Sequence, residues 1–194
     1  MNYLAHSYLS YSEGQIAGNF LEDFVRNRER QAYPQEILKG IRLHREIDHF
    51  TDHHPIISEA KTVFQPFVRL YAGAFVDIAM DYFLANDPKR KTQKQWEIHS
   101  AKVYEALEKH HRWLPETLAL LLPKIKEDNW LLNYRYDWGI EYSFRHIARK
   151  AKYLDSSEEA FSAFLHHKPF LQTCYEAFFP ELEAFCHRLN ENEK

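Results

Sequence analysis

Residues 72–85, AGAFVDIAMDYFLA, narrow the possible folds of this chain more than any other stretch. Of these fourteen side chains only Asp77 and Asp81 are charged. A helix that is apolar on nearly every side is stable only when other elements surround it. The chain must therefore pack elements around this segment. It must also accommodate two carboxylates one turn apart on a single stripe, where like charges repel. An ionised carboxylate is costly to bury without a partner. The pair calls for a cation, a proton, or an arginine such as Arg45 or Arg69.

The rest of the chain can provide those surroundings. Its 194 residues hold only five glycines and eight prolines, with no run of alternating β-branched residues, which favours helices. Hydrophobic residues make up 45% of the chain, enough for one sizeable core. The expected fold is all-α, a multi-helix bundle forming a single domain over residues 1–194. Apolar spacing and caps place helices near 16–28, 34–50, 73–85 and 130–152, with another opened by Pro55. Capping boxes at Thr92/Gln95 and Ser156/Glu159 start two more. Residues 12–14 read as a turn. Pro115 and Pro123 bracket a leucine-rich helix, and Pro169 and Pro180 read as breaks in the last helices.

A net charge of −3 gives no reason to expect nucleic-acid binding. No stretch approaches eighteen uninterrupted apolar residues, so no membrane span is expected. The N-terminus lacks the basic and apolar regions of a signal peptide. Cys174 and Cys186 would lie about 18 Å apart on one helix, too far for a disulfide. Reduced thiols and a cytoplasmic location are the expectation.

Residues 44–54, HREIDHFTDHH, raise the question of chemistry. Ile37, Ile41, His44 and Asp48 recur at helical spacing and share a face that leads inward. The two polar members are either a structural hydrogen-bonded pair or ligands. His49 and His53 fall on other faces, and His53 and His54 precede Pro55 as cap and loop residues. Asp23 lies four residues after Asn19 on a partly apolar face, whereas Glu22 and Arg26 form an exposed pair. His6 sits in an aromatic segment, where a lone histidine is more often a satisfied core residue than a ligand. Together these side chains come from several helices, an arrangement from which helical proteins build metal sites. Mixed His/Asp donors suit Mn²⁺, Mg²⁺, Fe²⁺ or Zn²⁺.

Several segments taken in order resemble the acyl carrier protein phosphodiesterase family. They are NYLAHSYLS at 2–10, GNFLEDFVRN at 18–27 and GIRLHREIDHFTDHHP at 40–55, followed by DIAMDYFLA at 77–85. WLLNYR at 130–135 and FFPEL at 178–182 fit more loosely. Asn27, Met80 and Tyr82 depart from the family pattern, in which glycine, Trp and His are expected. The resemblance implies an all-α fold distantly related to the HD-type phosphohydrolases. It also implies removal of 4′-phosphopantetheine from the serine of holo-acyl carrier protein, with a divalent ion, usually manganese, as cofactor. On that footing Asp23, His44, Asp48 and Asp77 are the expected metal ligands, and Asp81 orients water or holds a second ion. His6 is the candidate general acid, and Arg26 and Arg45 are candidates to bind phosphate. The acidic carrier protein would dock on the basic run that includes Arg26, Arg28, Arg30, Lys39, Arg42 and Arg45. The same ligands would serve hydrolysis of a small phosphodiester or nucleotide. A non-enzymatic helical module would use them as internal salt bridges.

Overall fold

The computed structural model describes residues 1–25 and 32–192. Among the described residues there is no strand, and the expected all-α class holds. The helices are α1 (Tyr3–Tyr8), α2 (Glu13–Leu21), α3 (Gln35–His53), α4 (Pro55–Val68), α5 (Ala72–Asn86), α6 (Gln93–Lys109), α7 (Glu116–Glu127), α8 (Trp130–Asn133), α9 (Asp137–Lys150), α10 (Glu158–His166) and α11 (Lys168–Asn192). The apolar segment becomes α5, which packs against α1, α4, α9 and α11. Phe75, Val76, Ala79, Met80 and Leu84 are fully buried along it. The stretch Pro55–Asn86 is long and apolar enough to cross a membrane, with a mean hydropathy of 1.2, and half of that window is buried within the bundle. Burial of this kind is how a core helix covers an apolar surface.

Caps decide where helices start, and the sequence located only some of them. Thr92 and Gln95 form the expected capping box at the start of α6. Residues 12–14 are not a turn: the Ser12 side chain accepts from the Gln15 amide, so Ser12 is the N-cap of α2. At Ser156 the expected box does not form, because α10 begins at Glu158 and Ser156 Oγ accepts from the Glu158 amide instead. The helix expected over 130–152 divides into α8 and α9.

Prolines misled the sequence reading for one physical reason. Pro123 and Pro180, expected to bound or break helices, both lie inside them and are exposed, as is Pro66 within α4. The carbonyl that loses its partner there can bond to water, and packing of the opposite face holds the helix together. For α11 that face is Leu171, Cys174, Tyr175, Phe178, Phe179, Leu182 and Cys186. Both cysteines are buried and free, as expected.

The contact that matters most for the site is α2 against α3. A Cβ built on Gly18 would lie 2.1 Å from the Ile37 carbonyl oxygen, and one on Gly40 would lie 2.3 Å from that of Gln15. Only two glycines allow the backbones so close. This approach presses the last turn of α2, whose carbonyls lack helical partners, onto the middle of α3.

Candidate functional site

Three side chains from two helices converge beneath that crossing. One donor atom each from His6, His44 and Asp48 lie within 4.8 Å of one another. His6 Nε2 is 3.1 Å from Asp48 Oδ1, and His44 Nε2 is 3.1 Å from Asp48 Oδ2. The two imidazoles stack with centroids 4.0 Å apart and planes 12° from parallel. His44 and Asp48 reach the site because α3 buries the face begun by Ile37 and Ile41, as the spacing predicts. His6 is almost completely buried on α1, a core histidine that also belongs to the cluster.

Two more carboxylates flank this group. Asp23 lies in a 3₁₀ turn, Glu22–Phe24, that ends α2. Its Oδ1 is 3.7 Å from His44 Nε2, and its side chain is half exposed. Asp77 approaches from α5 on the other side. The α-amino group of Met1 stands between the helices, 3.0 Å from Asp77 Oδ1 and 3.5 Å from Asp48 Oδ1. Among the described residues, this amino group therefore places positive charge between the α3 and α5 carboxylates.

Asp81 is placed differently. Its carboxylate accepts from the backbone amides of Leu4 at 2.8 Å, Ala5 at 3.3 Å and Asn2 at 3.4 Å, and it is fully buried. It serves the open N-terminus of α1, and its described hydrogen bonds hold no imidazole. These contacts tie the carboxylate to the α1 backbone.

Arg45 is exposed, and its Nε donates to Glu22 Oε1 at 3.0 Å. Arg26, Arg28 and Arg30 lie outside the described residues. Lys39, Arg42 and Arg45 remain from the expected basic run. His54 is the N-cap of α4: its Nδ1 accepts from the Ile56 amide, and its Nε2 lies 3.3 Å from Glu181. His49 and His53 are exposed, and their rings meet at a tilt with centroids 4.3 Å apart.

The electrostatics follow from this crowding. Burial, then the charge of His44, lowers the pKa of His6 to about 4 against the pull of Asp48. Burial also works against a charged His44, but the hydrogen bond and charge of Asp48, with Asp23, raise its pKa. Asp48 is partly buried, which would raise it, yet the bonds from His44 and His6 hold it well below the usual carboxylate range. Burial raises Asp77 against the pull of the Met1 amino group. Burial likewise pushes Asp81 up to about 7, against Met1 and the three amides.

Sequence reasoning missed Asn19. It is completely buried on α2 and touches both histidines: Asn19 Oδ1 is 3.0 Å from His6 Nδ1, and its backbone oxygen is 2.9 Å from His44 Nδ1. The available signal was a polar residue among the apolar positions of α2, directly after Gly18.

The chain as a whole is similar to known proteins. A family model described as acyl carrier protein phosphodiesterase matches residues 1–182. A curated protein of that name from Enterobacter sp. (strain 638) is 29% identical over 94% of this chain and 95% of its own length. The one from Photorhabdus laumondii is 29% identical over 93% of this chain and 92% of its own. The one from Escherichia coli (strain K12 / DH10B) is 27% identical over 95% and 96%. No solved structure matches this chain.

Proposed function

The chain belongs to the acyl carrier protein phosphodiesterase family, and we propose that it hydrolyses the phosphodiester between 4′-phosphopantetheine and the serine of holo-acyl carrier protein with the help of a divalent cation. The observation that carries the cation is the convergence of His6, His44 and Asp48, each offering a donor atom to one place. Two imidazole nitrogens facing the two oxygens of one carboxylate need protons or a cation between them. Two imidazoles with carboxylates form a donor set that Mn²⁺, Mg²⁺, Fe²⁺ and Zn²⁺ accept.

In this reading His6, His44 and Asp48 hold the ion, with Asp77 and Asp23 as flanking carboxylates. His6 moves from general acid to ligand, because a side chain this buried, with Nε2 facing Asp48, has no path to a leaving group. A bound divalent ion neutralises phosphoryl charge and lowers the pKa of its water. The chain's own residues do the rest. Asp23 marks the open side of the site, since its carboxylate is half exposed while His6 is sealed. Arg45 stands at the same rim through Glu22, whose charge reaches His44, and there a guanidinium can meet a phosphate. Asp81 positions α1, and with it His6, by holding the amides of residues 2, 4 and 5.

The test is intact-mass spectrometry of holo-acyl carrier protein after incubation with the protein, with and without Mn²⁺. Loss of the phosphopantetheine mass only when the ion is present is the expected result. Turnover of nucleotides in place of the carrier protein would favour the small-phosphodiester reading, and an inert protein the non-enzymatic one. Within the cell the reaction belongs in the cytoplasm, with its carrier-protein substrate.

A further inference from the structure

The polar contacts around Asn19 form a closed chain of donors and acceptors. Ser10 Oγ donates to the His6 carbonyl at 2.9 Å, which uses its only hydrogen. Ser10 Oγ must therefore accept from Asn19 Nδ2, 2.7 Å away. Asn19 Nδ2 also donates to the His6 carbonyl at 3.3 Å. These bonds fix which end of the amide is which, because a flipped amide would turn its oxygen toward the His6 carbonyl. Asn19 Oδ1 then faces His6 Nδ1 and can only accept, so that nitrogen carries a hydrogen. His44 Nδ1 faces the Asn19 backbone oxygen, another pure acceptor, so it carries one too.

One residue thus keeps a hydrogen on Nδ1 of both rings, so that once a cation displaces the proton each ring shares with Asp48, Nε2 is the only nitrogen able to offer a lone pair. Both Nε2 atoms point at Asp48. Histidines that bind metals commonly donate the other ring hydrogen to an oxygen in this way. The Asn19 carbonyl is available for His44 because it lies in the last turn of α2, pressed against α3 by Gly18 and Gly40.

We propose that Asn19 is the positioning residue of this centre: its side-chain and backbone oxygens lock His6 and His44 in the Nδ1–H form and aim both Nε2 atoms at one point beside Asp48. The proposal rests on the cation reading for its purpose, but the lock itself can be read without any cation. The experiment is a long-range ¹H–¹⁵N correlation spectrum of the histidine side chains at pH 8, with and without Zn²⁺ as a diamagnetic probe. In the unaltered protein both Nδ1 atoms should carry a hydrogen in either condition. Asn19→Leu should release His6 from that form and leave His44 locked, since the backbone oxygen remains. Zn²⁺ affinity should fall by about 10–100-fold, as when such outer partners are removed. Ser10→Ala, a smaller change, should shift the His6 signal in the same direction. An unprotonated His6 Nδ1 in the unaltered protein overturns the proposal. So does a His6 signal that neither Asn19→Leu nor Ser10→Ala alters, and if Asn19→Leu fails to fold, Ser10→Ala decides alone. Locked rings that take up no Zn²⁺ would uphold the role of Asn19 and overturn the reading of the cluster as a cation centre.

Discussion

Helices α3 and α5 each carry a polar pair at the same four-residue spacing, and the two pairs have opposite fates. On α3, His44 and Asp48 bond to each other at 3.1 Å and build one site. On α5, Asp77 turns to the Met1 amino group and the α3 cluster, while Asp81 turns to the backbone of α1. Equal spacing puts two side chains on one stripe, but it does not give them one partner. Among the described residues, what separates Asp77 from Asp81 is what lies opposite each: the Met1 amino group in one case, backbone amides at the start of α1 in the other.

The contrast can be broken most severely at Asp48. Asp48→Ala removes the group that faces both imidazoles, and it should bring hydrolysis to background in the intact-mass assay while far-UV circular dichroism stays helical. Full activity in that variant would make the α3 pair structural. Asp81→Ala should act on stability instead. It leaves buried α1 amides without an acceptor, so urea unfolding should show a loss of about 1–3 kcal/mol. A variant with unchanged stability would mean that Asp81 does not hold α1.

Titration sharpens the same comparison in the cation-free protein, because His6 and Asp81 have opposite signs. His6 has a folded pKa of about 4, below its ordinary value. The unfolded chain then binds the proton more readily, and His6 costs stability as pH falls from about 6.5 to about 4. Asp81 has a folded pKa of about 7, above its ordinary value. The folded chain binds that proton more readily, so its contribution is lost as pH rises from about 4 to about 7. Urea unfolding across this window should show a flatter acid-side loss in His6→Gln and a flatter alkaline-side loss in Asp81→Asn. Parallel changes in the two variants would refute the assignment. The smallest effect belongs to the second half of the histidine-rich stretch: His53→Ala should leave activity intact and stability within about 0.5 kcal/mol, as for an ordinary surface change.

The sequence made the His44/Asp48 face of α3 legible because helical periodicity carries Ile37 and Ile41 directly into it. It made Asp77 legible because a charge on an apolar helix demands a partner. The fate of Asp81 was not legible, since its partners lie 76 to 79 residues away and are backbone amides, which leave no mark on a side-chain pattern. Asn19 was hidden for a similar reason, as half of its work is done by a carbonyl. The pairing of Arg45 was not legible either, since its partner Glu22 comes from the 3₁₀ turn that ends α2, 23 residues away. Helix-interior prolines misled because sequence shows the lost hydrogen bond and not the solvent that replaces it.

The central claim is the proposed cation centre of His6, His44 and Asp48, with Asp77 flanking it and Asp81 standing apart on the α1 backbone. Mn²⁺ binding followed by electron paramagnetic resonance tests it most directly, comparing the unaltered protein with Asp48→Ala, Asp77→Asn and Asp81→Asn. The account predicts stoichiometric binding that is lost in Asp48→Ala, weakened in Asp77→Asn and kept in folded Asp81→Asn. Binding that is absent from the unaltered protein, or that depends on Asp81 as much as on Asp48, would contradict it.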